Sequence, residues 1–126
     1  MMKKINNPKK ILVIDDNKHL LKTIHDYLES QGFQVIVALD GVDIFKLIES
    51  ETYDLVITDI DMPVVSGLGV ILAQKKRNPE IPIIAISGYG EVPLEAAREK
   101  GADLILGKPF EFSLLMKYIN KLLASS

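Results

Sequence analysis

The stretch "LVITDIDMPVVSGLG", Leu55 to Gly69, runs four residues suited to burial straight into two aspartates a residue apart, then breaks at Pro63 and Gly67. A short, β-rich apolar run that does not alternate with polar residues is the pattern of an interior strand in a sheet covered on both faces. Residues 54–59, "DLVITD", therefore read as such a strand, with Asp59 at its carboxyl end. In open α/β sheets the ligand crevice lies outside that end, so a carboxylate delivered there is placed for chemistry. Aspartate is also common in turns, and Asp59 alone does not separate the two readings.

Four other segments share this character: "KILVIDD" (10–16), "FQVIVAL" (33–39), "PIIAIS" (82–87) and "ADLILGK" (102–108). Each is short, aliphatic and bounded by polar or turn residues, as strands are. Between them the apolar spacing turns helical. Leu20, Leu21, Ile24, Tyr27 and Leu28 share one face, with Gly32 placed as a left-handed stop. Ile44, Phe45 and Ile48 follow Asp40, which reads as their N-cap. Leu68, Ile71 and Leu72 form the expected face of a third helix. A short fourth helix has Pro93 in its first turn and Gly101 as its stop. Leu114, Leu115, Tyr118, Ile119, Leu122 and Leu123 mark a fifth. Such stripes are core-facing surfaces. Strict alternation of strand and helix implies parallel strands joined by right-handed crossovers, an α/β sheet with helices on both faces.

A chain of 126 residues is the length of one domain, and 48% hydrophobic with 25% charged residues is a globular composition. The net charge of −2 lacks the basic footprint of a nucleic-acid binder, so no nucleic-acid partner is expected. The lysines of "KKINNPKK" read as a solvated leader over residues 1–9 without a function. The absence of cysteine removes disulfides, thiolate metal sites and cysteine nucleophiles. There is no spanning segment and no signal-peptide pattern, so a cytoplasmic location without a membrane partner is the expectation.

If all five strands are parallel, their carboxyl ends share an edge. That edge gathers Asp15 and Asp16 from the first strand, Asp59 and Asp61 from the third, Ser87 from the fourth and Lys108 from the fifth. Each residue has an ordinary alternative as a turn, cap or surface charge, but the set is harder to explain that way. Clustered carboxylates raise one another's pKa unless a cation offsets them. With only oxygen ligands on offer, the hard ion Mg²⁺ is favoured. Ser87 and Lys108 then suit a phosphoryl group, and the edge reads as a site of phosphoryl transfer to or from an aspartate.

From "ILVIDD" through "LVITDIDMPVVSG" and "PIIAISG" to "GKPF", the chain resembles the response-regulator receiver domains of two-component signalling, chemotaxis-regulator-like receivers among them. The resemblance spans residues 10–124. It implies a doubly wound, flavodoxin-like receiver fold with five parallel strands in the order 2-1-3-4-5 and five helices. It makes Asp59 the phosphoacceptor and Asp15 and Asp16 the Mg²⁺-binding pair, with Asp16 favoured as direct ligand. Asp59 and the backbone carbonyl of Asp61 complete the metal set. Ser87 is the switch hydroxyl, Lys108 pairs with the phosphoryl oxygens, and the Lys108–Pro109 bond is expected to be cis.

The implied partners are a histidine kinase or histidine phosphotransfer protein and a downstream effector. The implied activity is a signalling switch, self-catalysed in both directions, rather than a turnover enzyme. The responding surface is the fourth helix, fifth strand and fifth helix, which also offers a route to a homodimer.

The chain departs from the pattern twice. Ile105 stands where receivers commonly carry a Tyr or Phe that swings inward, and Tyr89 is an alternative source of that aromatic. Asp61 stands at a position that affects acyl phosphate lifetime. Two rival readings remain. "LVITDIDMPV" also resembles the D-x-D motif of haloacid-dehalogenase-like phosphatases, but the acid pair at the first strand does not fit that family. A pseudo-receiver, an interaction module that is never phosphorylated, would need none of this edge. A flavin-binding relative of the same topology is disfavoured, because the loop "DDNKH" lacks the small and hydroxyl residues that cradle a flavin phosphate. His19 and His25 read as surface residues of the first helix.

Overall fold

In a computed structural model, residues 7–41, 43–88 and 94–124 are described. The strands are β1 (Lys10–Asp15), β2 (Gln34–Leu39), β3 (Leu55–Asp59), β4 (Ile83–Ser87) and β5 (Leu104–Gly107). The helices are α1 (Lys18–Ser30), α2 (Asp43–Ser50), α3 (Gly67–Arg77), α4 (Leu94–Lys100) and α5 (Phe112–Ala124). All four strand pairings are parallel, in the order β2-β1-β3-β4-β5. Expected and observed strands agree to within two residues at every end.

Burial follows position in the sheet. Every residue of β3 and β4 is buried, as is β1 after its first residue, whereas the edge strands β2 and β5 are only partly covered. The central strands therefore read as unbroken apolar runs because both faces are packed.

Alternation decides which face each side chain enters. Ile11, Val13, Leu55, Ile57, Ile84, Ile86 and Leu106 pack with α1 and α5. Leu12, Ile14, Val56, Ile83 and Ala85 pack with α2, α3 and α4, joined by the half-buried Ile105. Continued by one residue, the same alternation sends Asp15, Asp59 and Lys108 to the α1/α5 side and Ser87 to the other. Register completes the alignment: Ile14 lies opposite Thr58, Asp59 opposite Ile86, and Ser87 opposite Gly107.

Helix boundaries follow local chemistry. Asn17 caps α1, its side chain accepting the Leu20 N–H at 3.0 Å, and Ser66 caps α3 through the Leu68 N–H at 3.2 Å. Gly32 at φ 95° and Gly101 at φ 126° follow α1 and α4 in the left-handed conformation expected of a stop. Pro93 and Tyr89 lie outside the described residues.

Two expectations fail. The buried stripe of α3 is Gly67, Val70, Ile71 and Gln74, while Leu72 is 43% exposed and Leu68 only half-buried. The stripe begins at a residue without a side chain, which hydropathy cannot register, because α3 starts in contact with the end of β3. Asp40 does not cap α2 either. Its carboxylate turns away to accept the backbone N–H groups of Val64 and Val65 in the β3–α3 loop.

The contact at Gly67 is backbone on backbone: a β-carbon there would overlap the Asp59 carbonyl oxygen and Ile60 Cα. Neither partner is a flexible side-chain tip, so the chain must move to admit even a methyl group. Gly67→Ala is expected to lower stability by about 3 kcal/mol, the upper part of the usual range for overpacking. Urea unfolding followed by circular dichroism reads this as a lower midpoint; an unchanged midpoint would show that α3 is free to shift.

Candidate functional site

Asp15 is fully buried, Asp59 is 2% exposed and Asp16 lies exposed just beyond β1. One carboxylate oxygen from each lies within 4.8 Å of the others. Such a group forms because β1 and β3 are hydrogen-bonded neighbours ending at the same level, with Asp15 and Asp59 directed to the same side.

From β5 the Lys108 ammonium enters between the two buried acids. It is 3.0 Å from Asp59 Oδ2 and 3.0 Å from Asp15 Oδ2, with a longer hydrogen bond of 3.4 Å to Asp15 Oδ1. The Lys108–Pro109 peptide is cis, and the Lys108 N–H donates to the Ser87 carbonyl at 2.8 Å, tying the end of β5 to the end of β4. Ser87 itself is 7% exposed.

The acids are further fixed by backbone donors. Asn17 N–H donates to Asp15 Oδ1 and Asp61 N–H to Asp59 Oδ1, each at 2.8 Å. The first of these links the start of α1 directly to the site. Asp61 does not bring its carboxylate into the acidic group. Its Oδ2 accepts the Gly88 N–H at 2.9 Å, and its Oδ1 is buried without a hydrogen-bond partner among the described residues. The structure thus joins Asp15, Asp16, Asp59 and Lys108 as expected, and it uses the Asp61 side chain to connect the β3–α3 loop to the residue after Ser87.

Two pKa directions follow from this packing. Burial pushes the Asp15 carboxyl above its usual value; the Asn17 N–H and the Lys108 hydrogen bond pull it down, and the Asp59 charge pushes it up again. Burial acts to lower the Lys108 pKa, but the hydrogen bonds to Asp59 and Asp15, together with their charges, outweigh it and leave it raised. Lys108 is held as a cation while Asp15 ionises at a cost.

The donor set fits a hard divalent cation. Three carboxylates and one ammonium leave a formal charge of −2 when all are ionised. All the acidic ligand atoms are oxygens, and among the described residues Asp15 Oδ2 carries an ion pair but no hydrogen bond.

Sequence reasoning misses Asp40 as a contributor to this edge. Its position at the end of β2 is the available signal, since every other strand end supplies a site residue, but the helix that follows makes a cap the simpler reading. Ile105 lies opposite Ala85 and packs half-buried on the α2/α3/α4 side. His19 is exposed, and His25 is half-buried beside Asp26.

A family model described as response regulator receiver domain matches residues 11–120. The probable transcriptional regulator ycf29 of Pyropia yezoensis is 34% identical over 91% of this chain and 53% of its own length. The transcriptional regulatory protein PrrA of Mycobacterium tuberculosis is 31% identical over 90% of this chain and 49% of its own length. The chain therefore spans about half the length of these relatives.

Among solved structures, the response regulator TrrA of Thermotoga maritima in complex with Mg(2+)-BeF superposes with a TM-score of 0.81 at 33% identity, covering 91% of this chain and 99% of that one. A CheY-like receiver domain protein from Methanospirillum hungatei gives 0.87 at 28% identity, covering 94% and 96%. The phosphatase alternative is not favoured by these matches, which place the whole α/β unit with receivers. Among the described residues no helix is long and apolar enough to cross a membrane.

The raised Asp15 pKa has a consequence for stability. A carboxyl with a raised folded-state pKa favours the native state at low pH, and that contribution is lost as the pH rises through the raised value. At neutral pH without divalent metal, Asp15→Asn removes a buried charge and its repulsion with Asp59. It is expected to raise the thermal midpoint by about 4 °C, equivalent to on the order of 1 kcal/mol. The gain should shrink as the pH is lowered through the Asp15 pKa; a lower midpoint for the variant at neutral pH would mean that the Lys108 ion pair outweighs burial.

Proposed function

The chain belongs to the response-regulator receiver domain family, and from that membership we propose that Asp59 is its phosphoacceptor, with Mg²⁺ held by Asp15, Asp16, Asp59 and the Asp61 carbonyl. The observation that carries this reading is the Lys108 ammonium, shared at 3.0 Å between Asp15 and Asp59. Asp15 and Asp59 each have this cation and a backbone N–H on their oxygens; of the two, Asp59 stands at the end of the central strand β3 and is the one that the receiver motif matches as phosphoacceptor.

One oxygen of Asp59 attacks the phosphorus of a phosphohistidine on a histidine kinase or phosphotransfer protein. The P–O bond forms as the P–N bond breaks, and the departing imidazole keeps the electron pair of that bond and is protonated. Mg²⁺ held by Asp15, Asp16 and Asp59 would supply positive charge to the phosphoryl oxygens. Lys108 follows the new charge and pairs with a phosphoryl oxygen, releasing part of its hold on Asp15. Ser87, at the end of the neighbouring strand, donates its hydroxyl to another. Attack of water on the acyl phosphate returns Asp59 and inorganic phosphate.

The switch begins at Ser87 and Gly88, at the end of β4. Gly88 N–H is committed to the Asp61 carboxylate before phosphorylation, so movement of Ser87 toward the phosphoryl group draws on that bond. The same carboxylate lies beside the path of the hydrolytic water and alters the lifetime of the acyl phosphate. Ile105 has no hydroxyl or ring to follow Ser87 inward, so an aromatic rotamer at that position does not carry the response of the α4/β5/α5 face. A cytoplasmic downstream effector reads that face, and a second copy of the domain is an alternative reader. Residues 10–124 form the receiver, with residues 1–9 as a basic leader.

Intact mass after incubation with acetyl phosphate tests the assignment. The parent chain is expected to gain one phosphate in the presence of Mg²⁺ and none in EDTA, and Asp59→Ala to gain none in either. Release of inorganic phosphate without an adduct would turn the reading toward a phosphatase; no adduct and no turnover would leave a pseudo-receiver.

A further inference from the structure

The β3–α3 loop, residues 60–66, contains neither strand nor helix and yet carries the Asp61 carbonyl that the metal site requires. Its two ends are fixed. At one end Asp61 N–H donates to Asp59 Oδ1 and the Asp61 carboxylate accepts from Gly88. At the other end Gly67 abuts the Asp59 carbonyl. Between these ends Val65 is buried in the core and Met62 packs against it, while Pro63 and Val64 are exposed, so burial leaves the tip of the loop without an anchor.

Asp40 adds a polar tie at the exposed Val64 and the buried Val65. From the end of β2, its Oδ2 accepts the Val64 N–H and its Oδ1 the Val65 N–H, both at 2.6 Å. Each oxygen of one carboxylate takes one of two consecutive amides, which fixes the direction of the intervening peptide as well as its position. Hydrogen bonds to an ionised acceptor are shorter and stronger than neutral ones, and these span 24 and 25 residues of sequence. Both ends of the clamp belong to connections that leave the carboxyl edge of the sheet, so it joins the end of β2 to the site.

We propose that Asp40 is a positioning residue for phosphoryl transfer, holding the β3–α3 loop so that Asp61, whose N–H is bonded to the Asp59 carboxylate, keeps its place. The proposal rests on the reading of Asp59 as phosphoacceptor. Asp40 contacts neither metal nor phosphoryl group; it acts through the backbone of residues 61–65. A small displacement of a positioned group is enough to slow a reaction that depends on alignment, and a shift of about 1 Å can cost roughly 100-fold.

The test compares the parent chain with Asp40→Ala, Asp40→Asn and Tyr53→Phe. The last is a stability control: the Tyr53 hydroxyl donates to the Leu47 carbonyl at 2.8 Å, before the first residue of β3 and so at the opposite edge of the sheet. The rate of phosphate gain from acetyl phosphate is measured by intact mass across a Mg²⁺ titration, and amide exchange at Val64 and Val65 is measured without metal.

Asp40→Ala should exchange faster at both amides and slow phosphorylation by roughly 10-fold to 100-fold. Asp40→Asn, which retains one acceptor oxygen, should fall between it and the parent on both measures. Tyr53→Phe should lose thermal stability and keep the parent rate. Faster exchange at Val64 and Val65 in either Asp40 variant with phosphorylation at the parent rate would overturn the proposal, as would parent values on both measures. Asp40→Asn is sufficient for this decision if the alanine variant does not fold. Absence of any adduct on the parent chain would instead overturn the phosphoacceptor reading on which the proposal stands.

Discussion

Carboxylates held within 4.8 Å of one another at a sheet edge repel, and two of these three are almost wholly removed from water. Such a group persists only where something fixed opposes the repulsion, because burial makes both the charge and its neighbours' charge more costly. Lys108 is that counterweight. It reaches the acids because β5 ends one strand beyond β4, with its own backbone N–H bonded to Ser87, so the cation is delivered by the sheet rather than by a mobile surface side chain. One ammonium does not balance three carboxylates, and the remaining negative charge is what a divalent cation can offset.

The sheet alone would leave that edge loosely finished, since strands end and loops begin where the chemistry lies. Three backbone contacts close it. Gly67 lets α3 start directly against the Asp59 carbonyl, Asp61 joins its loop to Gly88, and Asp40 holds Val64 and Val65 from the far side. Each replaces a conformational freedom of the loop with a specific bond or contact, and preorganisation of this kind is most of what a protein can contribute to phosphoryl transfer. The contact through Gly88 differs from the other two in that it also ties the residue that follows Ser87.

Much of this is legible in the order of the residues. The apolar runs mark all five strands, Gly32 and Gly101 mark two helix ends, and Asp15, Asp16, Asp59 and Lys108 are gathered by the single assumption that the strands are parallel. What misleads is side-chain character read without its partner. Leu72 looks like core and is exposed, whereas Gly67 and Gln74 look neutral and are buried. Asp40 has the form of an N-cap, and a cap is the shortest-range partner an aspartate can find. The partner it takes lies 24 residues away, and no local pattern records that.

The sequence by itself determined the alternation of strand and helix, hence the parallel sheet, hence the edge at which chemically capable residues meet. Those are consequences of periodicity and chain direction, which are local properties. The tertiary structure decided how the edge is finished: which helix face is buried, where the Asp40 and Asp61 carboxylates turn, and how Lys108 is shared. These depend on distances between segments remote in the chain, where backbone N–H groups and a missing β-carbon matter as much as any side chain. Composition and spacing say that an aspartate stands at a strand end; only packing says which donor it finds there.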